Sequence, residues 1–199
     1  MACLDVGCGG GHVTLAMARL VGSSGMVTGV DLDRVKLGLA QQDAEREKIA
    51  HVNFRPLDVN DLDYGGGYDL VYARFLLTHL KDPLSTLQRM VNAAKPGGVI
   101  VVEDLDHATA FSYPECPAIA QSNLLYGRLA RLSEGDPEIG PKLPALFHQA
   151  GLRDLQFSHI QPAFLQGEAK KIHEITLENV APALVEAALA SEAEIDSLY

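Results

Sequence analysis

A glycine-rich segment close to the start of the chain has the residue types and spacing to hold a charged ligand. Asp5-Val6-Gly7-Cys8-Gly9-Gly10-Gly11 follows a short apolar run and precedes a helical pattern. Glycine permits positive φ and lets backbone N–H groups approach a ligand closely. A helix N-terminus behind such a loop favours a carboxylate or a phosphate. The alternative is a tight strand-to-helix turn that binds nothing.

Two further acidic residues end later apolar runs. Asp31 ends the second run and can accept both hydrogens of a ribose diol, a feature that nicotinamide and adenosyl ligands share. Asp58 follows the third run and could accept from an adenine amino group. A helix-capping role for Asp31 and a solvated loop position for Asp58 are the alternatives. The dinucleotide fingerprint G-x-G-x-x-G is incomplete, because position 12 is a histidine.

The elements that must position these residues alternate regularly along the chain. Short apolar runs at 3–6, 26–30, 52–56, 68–73 and 99–102 are separated by helical patterns. Continuous apolar runs indicate strands that are covered on both faces, as in parallel sheets. We therefore predict an α/β fold, a Rossmann-like, doubly wound, mostly parallel sheet with helices on both faces. Ligands of such sheets bind beyond the carboxyl ends of the strands.

The regular alternation of apolar runs and helical patterns ends after residue 105. We predict that residues 1–105 form the ligand-binding core, and that residues 106–199 add lid or substrate-side helices within the same domain. A sixth strand is predicted at 152–160, and the capping box at 191–194 predicts a further helix. The first strand begins almost at once and the last helix has little length, so we expect both ends to be truncated.

Composition restricts the partners and the compartment. The 199 residues carry a formal net charge of −10, which argues against a nucleic-acid partner because no basic surplus replaces counterions. Three cysteines at positions 3, 8 and 116 fit no metal motif and favour a reducing compartment. Neither a signal peptide nor a long apolar span is evident. We predict a cytoplasmic protein with no membrane span and no metal site.

Taken together, residues 3–105 resemble the class I S-adenosylmethionine-dependent methyltransferases, of the group that includes the ubiquinone-biosynthesis methyltransferases. Leu4-Asp5-Val6-Gly7-Cys8-Gly9-Gly10-Gly11 is similar to the first family motif, and Val27–Asp33 to the second. Leu57-Asp58-Val59 resembles the third motif, and Lys95-Pro96-Gly97-Gly98 resembles the turn before strand five. The motifs occur in the family's order.

The resemblance implies S-adenosyl-L-methionine as the cofactor and methyl transfer to a small-molecule acceptor. It implies that cofactor-binding residues are Asp5, Gly7, Cys8, Gly9, Gly11, Asp31, Leu32, Asp58, Val59 and Arg74. The family's helix before strand one and its last, antiparallel strand have no counterpart in this sequence. We therefore predict a sheet that lacks that strand, and an exposed sheet edge that favours a homodimer.

Candidates for contact with the acceptor follow the fourth and fifth strands: Arg74, Phe75, His79, Glu103, Asp106, His107 and Tyr113. Among these, His79, His107 and Tyr113 are the candidates for a catalytic role. His79 lies at helical spacing from Phe75 and could line the cleft, and His107 could be a base oriented by Asp106. Packing or capping roles, or exposed loop positions, are the alternatives for both histidines.

Two other functions compete with methyl transfer at this point. A nicotinamide-dependent (NAD(P)) oxidoreductase would share the glycine loop and the acidic residue at position 31, but it lacks the third glycine of the fingerprint. A non-catalytic cofactor-binding module, or a remnant inactivated by truncation, would keep the same loop. Transfer from a sulfonium needs alignment of the nucleophile more than a base, so the absence of a catalytic triad does not discriminate.

Overall fold

Five of the apolar runs form one sheet in the computed structural model, which describes residues Met1–Tyr199. The strands are β1 (Ala2–Val6), β2 (Met26–Asp31), β3 (Val52–Pro56), β4 (Tyr68–Arg74) and β5 (Ala94–Glu103). Their order is β3-β2-β1-β4-β5, and every pairing is parallel. The predicted Rossmann-like, doubly wound parallel sheet is confirmed.

Seven α-helices complete the chain: α1 (His12–Val21), α2 (Arg34–Arg46), α3 (Pro83–Ala93), α4 (Pro117–Leu132), α5 (Leu143–Gln149), α6 (Ile172–Glu186) and α7 (Glu192–Asp196). Helix α2 begins where Asp33 accepts hydrogen bonds from two backbone N–H groups, and α3 begins at Asp82, which accepts from the Ser85 N–H. The capping box predicted at Ser191 and Glu194 starts α7. Helix α1 differs, because its N-cap residue Gly11 offers no side chain.

The chain divides into two compact units. The first comprises Met1–Leu77, Asp82–Asp104 and Ala145–Arg153, and it contains the whole sheet. The second comprises Thr78–Lys81, Leu105–Pro144 and Asp154–Tyr199. Leucines and an isoleucine of α4, α6 and α7 form the core of the second unit: Leu125, Leu177, Leu184 and Ile195.

The core of the first unit holds α1 against the middle of the sheet. Met17 and Ala18 of the helix pack with Cys3, Val27 and Tyr72 of three adjacent strands, and all five are buried. This packing fixes the position of the glycine segment, because that segment joins β1 directly to α1.

No helix of the protein is long and apolar enough to cross a bilayer.

The order of the strands creates a crevice at the carboxyl ends of β1 and β4. From β1 the chain passes through α1 to β2 on one side, whereas β4 lies on the opposite side of β1. Connections that diverge in this way leave a topological switch point, where open α/β sheets bind their ligands. The residues that follow β1 and β4 are therefore brought together at this point.

The predicted turn at Lys95-Pro96-Gly97-Gly98 lies inside β5 rather than before it. Tyr68 of β4 pairs with Ala94, and Leu70 pairs with Val99, so the strand bulges between these two pairs. Gly97 has φ 79, which a glycine adopts without strain. The turn that follows α3 is therefore accommodated as a bulge within β5, and regular pairing with β4 resumes at Val99.

The predicted sixth strand is wrong. Residues 152–160 pair with no strand, and the sheet has five strands. Phe157 and Ile160 in this segment are 58% and 82% exposed. A short apolar run becomes a strand only where a sheet edge satisfies its backbone groups, and the sequence pattern does not report whether an edge is within reach.

Candidate functional site

A cavity of about 180 Å³ opens at the switch point between β1 and β4. Eight residues line it: Asp5, Gly7, Cys8, Gly10, His12, Val13, Arg74 and Phe75. Whole small-molecule ligands occupy larger clefts of about 300 Å³ or more, so the cavity has room for one end of an extended ligand. Four of the predicted cofactor residues are in this lining, while Gly10, His12 and Val13 were not predicted.

The glycines of the loop differ in how much space surrounds the position of a Cβ atom. Gly7 has φ 71 and a Cβ there would lie 2.9 Å from Leu76 Cδ1, so both backbone and packing require glycine. Gly11 has φ 76 and a Cβ there would lie 2.7 Å from the Cβ of Ala40. Gly9 also has a positive φ of 52, but no atom lies within 4 Å of its Cβ position. Gly9 therefore leaves space on the outer side of the loop that a ligand can fill.

Asp5 takes the place of the missing cap of α1. Its Oδ2 accepts from the Thr14 hydroxyl at 2.6 Å, and both residues are buried. The Thr14 backbone N–H adds a smaller hydrogen bond to the same carboxylate. A carboxylate at this position satisfies a donor of the first helical turn and interacts favourably with the helix dipole.

Burial makes the Asp5 carboxylate hard to ionise. Desolvation raises its pKa from 3.8 to about 6, against the Thr14 hydrogen bond and the charge of Arg74, which lower it. The negative charge of Asp31 also contributes to this raised pKa. Asp5 is consequently ionised at neutral pH, and it contributes a buried negative charge to the wall of the cavity.

Asp31 ties the end of β2 to the glycine loop. Its Oδ2 accepts from the Gly9 N–H at 2.7 Å, and its Oδ1 accepts from the Asp33 N–H at 2.9 Å. Each carboxylate oxygen can accept a second hydrogen bond, so both remain able to bind a ligand hydroxyl. The carboxylate is thereby held in one orientation at the end of β2.

Cys8 lines the cavity and packs against Gly29 of β2. Burial raises the pKa of its thiol to about 12, and the charges of Asp5 and Asp31 add to this. Its Sγ lies 2.9 Å from where a Cβ of Gly29 would be, so Gly29 on β2 makes room for it. We did not predict Gly29 from the sequence, although a glycine inside a strand indicates close approach of another group.

The remaining predicted cofactor residues lie outside the cavity, after β2 and β3. Leu32 is 65% exposed, whereas Val59 is buried. Asp58 accepts from the Asn60 N–H at 2.8 Å and caps the short 3-10 helix Val59–Asp61. This contact uses one carboxylate oxygen, and the role of these three residues toward the cofactor stays a prediction.

The end of β4 is strained where it meets the cavity. Phe75 has φ 52, a conformation that costs a bulky residue about 1–3 kcal/mol. It is held there by its N–H, which donates to the Glu103 carbonyl at 2.9 Å. The Arg74 guanidinium carbon lies 5.5 Å from the centre of the Phe75 ring. The Glu103 carboxylate in turn accepts from the Tyr72 hydroxyl at 2.8 Å.

The three candidates for a catalytic role belong to the second unit. His79 ends the 3-10 helix Leu77–His79, so the predicted helical spacing from Phe75 is wrong: Phe75 lies before that helix, with a left-handed backbone. His107 Nε2 donates to the Asn123 carbonyl at 3.1 Å, so this carbonyl orients the ring, a role that the sequence predicted for Asp106. Tyr113 is 94% exposed.

The His107 ring also packs at 4.7 Å from the Tyr126 ring, measured between centroids. Burial lowers the pKa of the nearby His173, and the charge of His107 lowers it further. No group of three or more His, Cys, Asp or Glu side chains in the protein could hold a metal ion.

Residues 1–176 match the family described as a methyltransferase domain, and the chain belongs to this family. It is a class I S-adenosylmethionine-dependent methyltransferase domain, as the resemblance implied. Its cofactor is S-adenosyl-L-methionine. Family membership favours methyl transfer over the nicotinamide-dependent alternative.

Named relatives agree with this class. The chain is 36% identical over 97 residues to the ubiquinone biosynthesis O-methyltransferase of Acinetobacter baylyi, covering 48% of this chain and 40% of that protein. It is 28% identical over 170 residues to the demethylmenaquinone methyltransferase of Bacillus licheniformis, covering 77% and 71%. The match thus spans less than half of the Acinetobacter protein.

A solved structure shows the same fold. The S-adenosylmethionine-dependent methyltransferase of Aquifex aeolicus superposes with a TM-score of 0.56 at 19% identity, covering 77% of this chain and 72% of that one. At this identity the likeness concerns the fold alone.

Proposed function

We propose that the cavity at the switch point binds the amino-acid end of S-adenosyl-L-methionine, and that the protein transfers its methyl group to a small-molecule acceptor. The observation that carries this proposal is the pairing of buried Asp5 with the glycine loop and Arg74 around one cavity. Asp5 supplies a negative charge for the ammonium group. The N-terminal end of α1, whose N-cap residue Gly11 has no side chain, suits the carboxylate together with Arg74.

The chain's own residues bind and orient the cofactor, since S-adenosyl-L-methionine itself supplies an already activated methyl group. Asp31 accepts from the ribose hydroxyls, while Leu32, Asp58 and Val59 contact the adenine. Gly9 leaves the loop surface open to the ligand. Binding at several points along the cofactor fixes its direction, which an in-line displacement requires.

Calorimetric titration tests the cofactor assignment. We expect S-adenosylhomocysteine to bind with a micromolar dissociation constant, and NADH not to bind. 5′-Methylthioadenosine, which lacks the amino-acid end, is expected to bind more weakly than S-adenosylhomocysteine, because it cannot contact Asp5 or α1. Equal affinities of these two adenosyl ligands would contradict the assignment of the cavity to the amino-acid end.

Asp31→Ala is expected to weaken S-adenosylhomocysteine binding by roughly 1–3 kcal/mol, because it removes a charged partner of the ribose hydroxyls. The matched control is Asp33→Ala, which removes the cap of α2 two residues away. That control is expected to lower the melting temperature without changing affinity. If both variants bind like the wild type, Asp31 does not belong to the site.

For the acceptor we propose phenolic or quinol precursors of isoprenoid quinones, the chemistry that the names of the two relatives share. A base is needed only where the acceptor loses a proton during attack, and His79, His107 and Tyr113 remain the candidates for that role. Turnover to S-adenosylhomocysteine with a panel of catechols and naphthoquinols tests the proposal. A cofactor-binding protein that methylates none of them would instead have a different acceptor or no catalytic role.

We also propose a cytoplasmic location, a homodimer and no nucleic-acid partner. All three cysteines are unpaired, which suits a reducing compartment. Strands β3 and β5 each pair on one side only, so each leaves an edge that a second copy could use. Light scattering of the purified protein distinguishes a dimer from a monomer.

A further inference from the structure

We propose that Thr14 is a positioning residue for the cofactor site, which keeps the Asp5 carboxylate charged and oriented and so sets the pH above which the site binds its cofactor. The proposal rests on the role assigned to Asp5 under the proposed function. Thr14 does not line the cavity and acts through Asp5.

The geometry leaves little freedom to this pair. Thr14 is completely buried in the first turn of α1, and its hydroxyl donates to Asp5 Oδ2 at 2.6 Å. A hydrogen bond to a charged oxygen is stronger than one between neutral groups and fixes the carboxylate against rotation. Each carboxylate oxygen can accept a second hydrogen bond, so the oriented Asp5 carboxylate keeps acceptor capacity for a ligand ammonium group.

Other charged or titratable groups surround Asp5, and His12 at the start of α1 lines the same cavity. Asp31 at the end of β2 opposes its ionisation, while Arg74 at the end of β4 favours it. The Cys8 thiol stays protonated beside it, and Tyr72 keeps its proton in a hydrogen bond to a glutamate. Thr14 is therefore the neutral donor that most favours the ionised carboxylate, and no second hydroxyl replaces it.

Removing the hydroxyl is expected to change how affinity depends on pH. In the wild type, S-adenosylhomocysteine affinity should fall as the pH drops through the pKa of Asp5 near 6, because protonation removes the negative charge. In Thr14→Val the same fall should occur at higher pH. Near pH 6.5 the variant should bind roughly tenfold more weakly, and near pH 8.5 the difference should shrink.

The experiment is calorimetry with S-adenosylhomocysteine and 5′-methylthioadenosine between pH 5.5 and 8.5, with circular dichroism to check folding. Thr14→Ser keeps the hydroxyl and should restore the wild-type profile, while Thr86→Val controls for loss of a buried threonine hydroxyl in α3. Thr14→Ala is used in place of Thr14→Val if the latter does not fold. Binding of 5′-methylthioadenosine should not vary with any of these changes.

A folded Thr14→Val protein with the wild-type pH profile would overturn the proposal. So would an affinity loss of equal size at every pH that serine does not restore, since that indicates a purely structural role. If the wild type itself fails to bind S-adenosylhomocysteine at pH 8.5, the proposed cofactor site fails first.

Discussion

Gly11→Ala is expected to lower the free energy of unfolding by roughly 2–5 kcal/mol, the largest effect of any single methyl group added to the loop. Two costs combine at this position. The alanine would have to keep a backbone φ of 76, which is strained for any residue with a Cβ. Its Cβ would lie 2.7 Å from the Cβ of Ala40 and 2.9 Å from Phe54 Cζ. These atoms belong to α2 and β3, so three elements would have to move apart.

The neighbouring glycines provide matched controls for this prediction. Gly10 has no positive φ, and the nearest atoms to its Cβ position are 3.8 Å away, so Gly10→Ala should leave stability almost unchanged. At Gly9 the backbone φ is 52 but the space around the Cβ position is open, so Gly9→Ala should lower the free energy of unfolding by about 1–2 kcal/mol. Urea denaturation followed by circular dichroism gives the three values. Any order other than Gly10, Gly9, Gly11 by increasing loss would contradict the account of the loop.

The parts of the fold that were predictable from the sequence are those that local patterns determine. Strand β3 was predicted with its observed bounds, and α7 begins at the predicted capping box, because an apolar run and a capping side chain act over a few residues. Residues 152–160 have an equally apolar run but form no strand. Their conformation depends on a pairing partner elsewhere in the chain, which a local pattern does not contain.

The same distinction holds at the candidate site. The glycine loop and Asp31 could be predicted because their residue types and their positions at the ends of strands form a motif along the chain. Thr14 and Gly29 were missed because their roles arise from contacts across elements: a helix to β1 for Thr14, and β2 to the loop for Gly29. Spacing along the chain gives no measure of such contacts. A buried threonine or a strand glycine therefore gains meaning only with the fold.

Asp5→Asn is expected to stabilise the protein without ligand at neutral pH, although it should weaken cofactor binding. The folded state raises the pKa of Asp5 from 3.8 to about 6, so the ionised carboxylate is less favourable in the folded protein than in the unfolded chain. At about 1.4 kcal/mol per pKa unit this cost approaches roughly 3 kcal/mol. Asparagine keeps an oxygen acceptor for Thr14 and carries no charge to desolvate.

The sign of the pH dependence follows from the direction of this shift. Well below pH 3.8 Asp5 is protonated in both states, and its contribution to stability is fully present. As the pH rises from there through about 6, the unfolded chain ionises first and the wild type loses stability. The stability advantage of Asp5→Asn should therefore be small near pH 4, grow as the pH rises to about 6 and level off above that pH.

Thermal unfolding of both proteins between pH 4 and 8 measures this difference, and S-adenosylhomocysteine titration of the same samples measures the binding cost. Asp69→Asn is the matched control, since Asp69 is a partly exposed strand carboxylate whose pKa is lowered by its hydrogen bond to Lys95. It should destabilise slightly at neutral pH, the opposite sign. If Asp5→Asn is no more stable than the wild type at pH 8 yet binds the cofactor normally, Asp5 is neither strained by burial nor part of the site. A protein that retains a destabilising buried charge, and binds its cofactor less well without it, uses that charge for recognition rather than for folding.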